Sequence, residues 1–225
     1  MANHPIFAPT FYGDLKRVRT ILKAEPSAIA VRSAKNLTPL HVAASRGKHK
    51  VARLLLDNGA DVTGPTGRHE WTPLVYAAYR GHYDAACVLI EYGAGVTAKD
   101  GNPIHFAGQR KHKELCRLLV QHGAVDNLVR SKDTNVIDLF RAAYSYDSEA
   151  VDRILSEHPK LVNRKDKLGR TPMHEACTNG DVRTVRTLLK HGGDPDLADR
   201  NGQTSRDRAV AHNQRAIVKI FESER

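Results

Sequence analysis

Apolar residues recur along the chain at helical spacing, in short runs that polar turns separate. Within the run Val51–Leu56, residues Val51, Leu54 and Leu55 fall on one side of a helix. A shorter stretch before this run repeats the pattern with Leu40 and two consecutive alanines. Because alanine is small, such a stretch allows a second helix to approach closely. The pattern therefore predicts pairs of short, packed helices.

A seven-residue string marks the start of these helix pairs. Thr38–Ala44 (TPLHVAA) recurs as Thr72–Ala78 (TPLVYAA) and as Thr171–Cys177 (TPMHEAC), and Asn102–Ala107 (NPIHFA) is a degraded copy. Thr is a good N-cap, and Pro is tolerated at the first helical position because an N–H there has no partner within the helix. A Gly follows each full copy at a fixed distance and is expected to end the first helix in a left-handed turn.

The motif Thr-Pro-Leu-His-x-Ala-Ala, repeated at a spacing of about 33 residues, resembles the ankyrin repeat. The resemblance covers nearly the whole chain. It implies an all-α repeat fold, an ankyrin solenoid of helix–turn–helix units with short projecting β-hairpins. About seven units are expected, and the outer two are atypical because one face of each end unit meets water. Their approximate limits, within a single domain of residues 1–225, are 4–34, 35–67, 68–99, 100–132, 133–166, 167–199 and 200–225.

The connection before the degraded copy is shortened. Pro39 and Pro73 are 34 residues apart, whereas Pro73 and Pro103 are 30 residues apart. Asn102 replaces the capping Thr there, and Asn is expected to cap the helix equally well. The shorter connection is expected to leave a notch beside Trp71.

A second irregularity lies at residues 127–136, where neither Thr-Pro nor Gly precedes the next helix. Stability in a repeat array is roughly the sum of unit and interface terms, so a poor interface weakens the array locally. We interpret this segment as a weak joint in a continuous stack. The alternative is two separate domains joined near residue 131.

The chain carries 35 Lys and Arg against 25 Asp and Glu, which gives a formal net charge of +10. A basic excess favours acidic partners, which include an acidic protein, nucleic acid and anionic surfaces, but it also keeps a long repeat array in solution. No apolar run reaches the length of a membrane span, and residues 1–15 lack a signal-peptide pattern. A cytoplasmic location, or a nuclear one in a eukaryote, is the expectation, with no membrane partner.

The residues that carry chemistry do not form a catalytic or metal-binding pattern. Cys87, Cys116 and Cys177 are widely spaced and are expected to be buried, inward-facing residues. The resemblance implies a structural, hydrogen-bonding role for His41, His105 and His174, and the other histidines fall mostly at helix ends. Motifs for a nucleophile, a phosphate loop or a paired-carboxylate site are missing. The sequence predicts neither an enzyme nor a cofactor or metal site.

By analogy with the family, the hairpin tips and the exposed side of each first helix are the expected contact surface. Tyr144 and Arg170 also fall at such exposed positions in the repeat register. The predicted partner-binding residues are Trp71, Tyr76, Tyr79, Arg80, Arg46, Arg110, His69 and Arg68.

These residues lead to two hypotheses about function. The first is a non-catalytic protein-binding adaptor or scaffold, expected as a monomer, that uses its concave face. The alternative is a basic solenoid that binds nucleic acid or another polyanion, because Arg46, Arg80 and Arg110 occupy equivalent positions in three consecutive units.

Overall fold

The computed structural model describes residues 4–65, 71–97, 101–125, 129 and 133–223. Within these ranges the chain forms fourteen α-helices and two short 3₁₀ helices, and it contains no extended strand. The protein divides into two compact units, Met1–Ala107 and Gly108–Arg225. The boundary falls within the helix Pro103–Gln109. No helix of the described ranges is both long and apolar enough to cross a membrane.

In the first unit, the first helices of successive pairs pack against one another, and so do the second helices. Its helices are α1 Phe7–Tyr12, α2 Leu15–Ala24, α3 Pro39–Ser45, α4 His49–Asp57, α5 Pro73–Arg80, α6 Tyr83–Glu91 and the larger part of α7 Pro103–Gln109, with a 3₁₀ helix at Pro26–Ala30. Helix α3 packs against α1 and α5, and α4 packs against α2 and α6. Leu40, Leu55, Leu74 and Leu89 are completely or almost completely buried between these layers.

The second unit repeats the same arrangement. Its helices are α8 Lys113–Gln121, α9 Thr134–Tyr144, α10 Ser148–Glu157, α11 Pro172–Asn179, α12 Val182–Lys190, α13 Ser205–Ala211 and α14 Arg215–Ser223, with a 3₁₀ helix at Pro159–Leu161. Helix α11 packs against α9 and α13, and α12 packs against α10 and α14. Leu139, Leu155, Met173 and Leu188 lie in one apolar core. The predicted all-helical fold of stacked repeats is confirmed.

The first helices begin where the motif places them. The Thr38 hydroxyl accepts a hydrogen bond from the backbone N–H of His41, and Thr72 accepts one from Val75. In the last helix pair, Thr204 and Asp207 form a reciprocal capping box, although the Pro of the motif is missing. The capping role of Thr is therefore preserved even where the rest of the motif has changed.

A left-handed residue follows the first helix in each of the seven described helix pairs. It is Gly in four pairs, and Lys111, Tyr146 and Asn213 take the same conformation in the others, with φ between 53° and 61°. Residues with a Cβ adopt the left-handed conformation only at some energetic cost. The stacking of the helix pairs, and not only the presence of Gly, therefore determines where each first helix ends. The seven positions are Gly13, Gly47, Gly81, Lys111, Tyr146, Gly180 and Asn213.

Three connections between helix pairs, at residues 33–37, 166–170 and 199–203, are tight turns. Ser33 donates its N–H to the carbonyl of Leu37, and Asn36 donates to the carbonyl of Ser33. Asp166 and Asp199 begin equivalent turns, and their Oδ1 atoms accept backbone N–H groups of the same turn. This is the three-residue hairpin loop that ends in a left-handed residue. At these three connections the predicted hairpins are therefore present as turns, while the tips at 66–70, 98–100 and 126–132 lie largely outside the described residues.

The prediction that Asn102 caps α7 is wrong, although the helix forms. Asn102 has φ of 55° and its Oδ1 is buried without a hydrogen-bond partner. An N-cap needs the extended conformation that Thr38 and Thr72 adopt. The shortened connection instead turns the backbone at Asn102 into the left-handed region.

The predicted weak joint at residues 127–136 lies mostly outside the described residues. Only Val129 and the start of α9, which Asp133 caps through the N–H of Asn135, are described there. The limits of the seven repeats and the single domain over residues 1–225 stay predictions.

Candidate functional site

In helices α3 and α11, a histidine ties the first helix to the backbone just before the capping Thr of the next repeat. The His41 ring lies 2.7 Å from the Thr38 hydroxyl through Nδ1, and its Nε2 lies 3.2 Å from the carbonyl oxygen of Trp71. Since a carbonyl can only accept, Nε2 carries the proton. Burial lowers the pKa of His41 to about 4, so the ring is neutral near pH 7. This bond fixes the backbone at Trp71.

Around Trp71 lies a group of four rings, called here the aromatic cluster: Trp71, Tyr76, Tyr79 and Phe106. The Trp71 ring centroid is 5.3 Å from that of Tyr76, 5.2 Å from that of Tyr79 and 4.7 Å from that of Phe106. Tyr79 and Phe106 are 6.2 Å apart. These spacings fall in the range of favourable edge-to-face and tilted ring pairs.

Helix α5 holds two of the four rings on the surface because its other side is in the core. Leu74, Ala77 and Ala78 are fully buried, whereas Tyr76 and Tyr79, three residues apart on the helix, are half-buried. Burial raises the pKa of Tyr76. Trp71 and Phe106 are half-buried as well. All four rings thus keep part of their area in water while being held by one another.

The three predicted arginines differ in their surroundings. The Arg80 guanidinium lies 5.6 Å from the ring centroid of Tyr79, next to the cluster. The Arg46 guanidinium lies 4.0 Å from the ring centroid of Phe11, also in the first unit. Arg110 is exposed and belongs to the second unit. The residues brought together are therefore Trp71, Tyr76, Tyr79 and Arg80, while Arg68 and His69 lie outside the described residues.

Phe106 was not among the predicted site residues, yet it contacts Trp71 most closely. The available signal was its register, because Phe106 follows Pro103 at the distance at which Tyr76 follows Pro73. The expectation of a notch beside Trp71 is corrected accordingly, since the ring of Phe106 lies there. An aromatic side chain of the next first helix thus occupies the space beside Trp71.

Two other residues expected at exposed positions are buried in the second unit. Arg170 contacts the carboxylates of Asp166 at 2.9 Å and Glu175 at 2.7 Å, and one of its N–H groups donates to the Tyr144 hydroxyl at 3.3 Å. All four side chains are at most 7% exposed. Burial raises the pKa of Tyr144 well above its ordinary value, and the nearby Glu175 carboxylate acts in the same direction. Arg170 and Tyr144 are therefore structural.

The cysteines are core residues with one exception. Cys116 and Cys177 are buried, and burial raises the pKa of the Cys116 thiol to about 12. Cys87 is only half-buried, which corrects the expectation for that residue. In the described ranges, no three His, Cys, Asp or Glu side chains are grouped so that they could hold a metal ion. The aromatic cluster is thus the surface feature with the most specific geometry.

Curated proteins with similar sequences include one from a yeast and one from a plant. The chain is 27% identical to a Saccharomyces cerevisiae protein named probable 26S proteasome regulatory subunit p28, over 98% of both chains. It is 30% identical to the E3 ubiquitin-protein ligase XBAT32 of Arabidopsis thaliana over 80% of this chain. The chain spans nearly all of p28 but only 34% of XBAT32.

The fold has a solved counterpart, and the sequence matches a family model. The crystal structure of the human ASB11 ankyrin repeat domain superposes with a TM-score of 0.64 at 25% identity, covering 92% of this chain and 91% of that domain. A model described as ankyrin repeats (3 copies) matches residues 7–100 and 139–223, which is most of the chain. The protein belongs to the ankyrin-repeat family.

Proposed function

We propose that this protein is a non-catalytic adaptor that binds another protein through the aromatic cluster and Arg80. The observation that carries the proposal is the cluster itself, in which four half-buried rings surround Trp71. Fully buried rings would serve only the core, and isolated exposed rings would be unremarkable. Rings that are grouped and still partly in water provide apolar area for a partner to cover.

The composition of the surface supports protein binding in particular. Trp, Tyr and Arg are enriched among the residues that dominate the energy of protein interfaces. Each combines a large apolar area with a polar group, and the Arg80 guanidinium next to Tyr79 adds charge at the edge of the cluster. Because the rings already hold one another, little side-chain entropy is lost when a partner binds.

The relatives support an adaptor role. Ankyrin repeats are general protein-interaction modules. The relative that matches along almost its full length is named as a regulatory subunit of a larger assembly, and the plant relative is named as a ubiquitin ligase. A role in bringing proteins together, in the cytoplasm or nucleus, fits both names without requiring a catalytic residue in this chain.

Paired pull-downs from the source cells test the proposal. Three baits are compared: the full wild-type chain, the double variant Tyr79→Ala/Arg80→Ala and the control variant Tyr83→Ala. The retained proteins are identified by mass spectrometry. We expect a protein that wild type retains and the variant loses, because these two residues lie at the surface of the cluster. Tyr83→Ala is the matched control, since Tyr83 is 44% exposed on the neighbouring helix α6. A partner retained equally by all three baits would refute the site.

The competing hypothesis, a polyanion-binding surface, rests on the net charge of +10. Binding of nucleic acid would release counterions, so its affinity would fall steeply with salt, and the variant Arg46→Ala/Arg80→Ala/Arg110→Ala would flatten that dependence. We expect instead no measurable affinity for DNA or RNA at about 150 mM salt, where the Debye length is about 8 Å. Fluorescence anisotropy across a salt series measures this. Tight binding with a steep, arginine-dependent slope would favour the alternative.

A further inference from the structure

The first unit contains an open pocket of about 280 Å³ between α1, the turn before α3 and α3 itself. Its apolar lining comes mainly from Phe7, Phe11, Leu37 and Val42. Ligand pockets usually have volumes of roughly 300–1,000 Å³, so this one is at the small end. Its size fits a single large side chain better than a whole small-molecule ligand.

The register of the repeats shows why the pocket is open. Leu37, Val42 and Ser45 line it, and the residues 34 positions later are Trp71, Tyr76 and Tyr79. In the later repeat these positions carry three aromatic rings that pack together, with the Trp71 centroid 5.3 Å from that of Tyr76 and 5.2 Å from that of Tyr79. In the earlier repeat the same positions carry a Leu, a Val and a Ser. The pocket is therefore the unfilled equivalent of the aromatic cluster.

The edge of the pocket is positively charged. Lys35 and Arg46 line it and are both exposed, and none of the described residues that line it is Asp or Glu. The Arg46 guanidinium stacks on Phe11 at 4.0 Å, and in the described part of the chain it has no carboxylate partner. Stacking on a ring leaves the N–H groups of a guanidinium directed outward, where they can donate to a carboxylate.

We infer that this pocket binds an aromatic side chain of a partner protein, presented on a segment with acidic residues beside it. An aromatic ring supplies the group that Trp71 supplies in the next repeat, and it would pack on Phe11, Leu37 and Val42. Flanking Asp or Glu side chains would pair with Lys35 and Arg46. The inference deepens the proposed function and rests on it, because it states the chemistry of a protein partner.

A labelled acidic peptide with one aromatic residue, Gly-Glu-Glu-Phe-Glu-Glu-Gly, tests the inference on the full chain. We expect saturable binding by fluorescence anisotropy, and amide shifts in NMR spectra at residues 33–37 and 42–46. The same peptide with Ala for Phe should bind at least tenfold more weakly, and the peptide with Gln for Glu several-fold more weakly. Equal binding of the Phe and Ala peptides, or shifts located elsewhere, would overturn the inference.

Variants of the protein complete the test. Val42→Tyr/Ser45→Tyr introduces the side chains that the next repeat carries at these positions, so it should fill the pocket and reduce peptide affinity at least tenfold. Arg46→Gln should reduce it about fivefold, whereas Arg19→Gln, at an exposed arginine of α2 that does not line the pocket, should leave it unchanged. Melting curves show whether each variant is folded. If Val42→Tyr/Ser45→Tyr does not fold, Arg46→Gln and the peptide series test the inference instead.

Failure here and failure of the proposed function give different results. If the peptide does not bind but a cellular partner still requires Tyr79 and Arg80, the pocket inference is wrong and the adaptor proposal stands. If the peptide binds in the pocket while no partner depends on Tyr79 and Arg80, the interaction surface is the pocket rather than the aromatic cluster.

Discussion

Alanine in place of Arg170 is expected to destabilise the second unit by roughly 3–5 kcal/mol. Arg170 is 5% exposed and contacts the carboxylates of Asp166 and Glu175. Removing the guanidinium leaves two buried carboxylates without their cation, and desolvated charges are far more costly when unpaired. The expected loss of stability therefore comes from the two unpaired, buried carboxylates rather than from the loss of an attractive ion pair.

Urea denaturation followed by circular dichroism measures this effect, with Arg164→Ala as the control. Arg164 lies two residues before Asp166 and is exposed, so its substitution should change the free energy of unfolding by no more than about 0.5 kcal/mol. Arg170→Ala/Asp166→Ala/Glu175→Ala should recover part of the loss, since the unpaired charges are gone. Similar midpoints for Arg170→Ala and Arg164→Ala would show that the buried group does not carry this stability.

Replacing Trp71 with Ala is expected to weaken partner binding by about 2 kcal/mol or more, which is roughly 30-fold in the dissociation constant. Trp71 is the central ring of the aromatic cluster and contacts each of the other three. The substitution should also lower the free energy of unfolding by about 1–3 kcal/mol, less than for a fully buried Trp. Isothermal titration calorimetry and thermal melting measure the two effects separately.

Two further variants separate the roles of Trp71 in binding and in stability. Trp71→Phe keeps a ring in the cluster and should restore most of the stability but only part of the affinity. Tyr83→Ala, away from the cluster, should leave partner affinity unchanged. An unchanged dissociation constant for Trp71→Ala, together with a lower melting temperature, would make Trp71 purely structural and place the interaction surface elsewhere.

The repeat fold could be predicted because its determinants are local. Thr38 and Thr72 cap their helices through residues three positions later, and the Pro and Ala positions of the motif determine which side packs. Cys87 and Asn102 departed from expectation because their surroundings depend on neighbouring helices and on connection length. A motif match at either position gives no information about those contacts.

The candidate site was predictable only in part. Trp71, Tyr76 and Tyr79 were identified from composition and register, but Phe106 was not, although it stands in the same register as Tyr76, because it lies on the first helix of the following repeat. Exposure of Arg170 was expected from its position in the turn. That expectation missed the acidic residues four positions before it and five positions after it, Asp166 and Glu175, which hold it in the interior.

The histidine that links consecutive repeats has a consequence for how binding specificity can evolve. His41 hydrogen-bonds the carbonyl of Trp71, and His174 hydrogen-bonds the carbonyl of Gln203 at the equivalent position. Because every amino acid offers a backbone carbonyl, this bond makes no demand on the side chain there. Natural selection can therefore exchange that side chain, Trp in one repeat and Gln in another, while the same inter-repeat bond persists. Changes of partner and maintenance of the stack can proceed largely independently at this position.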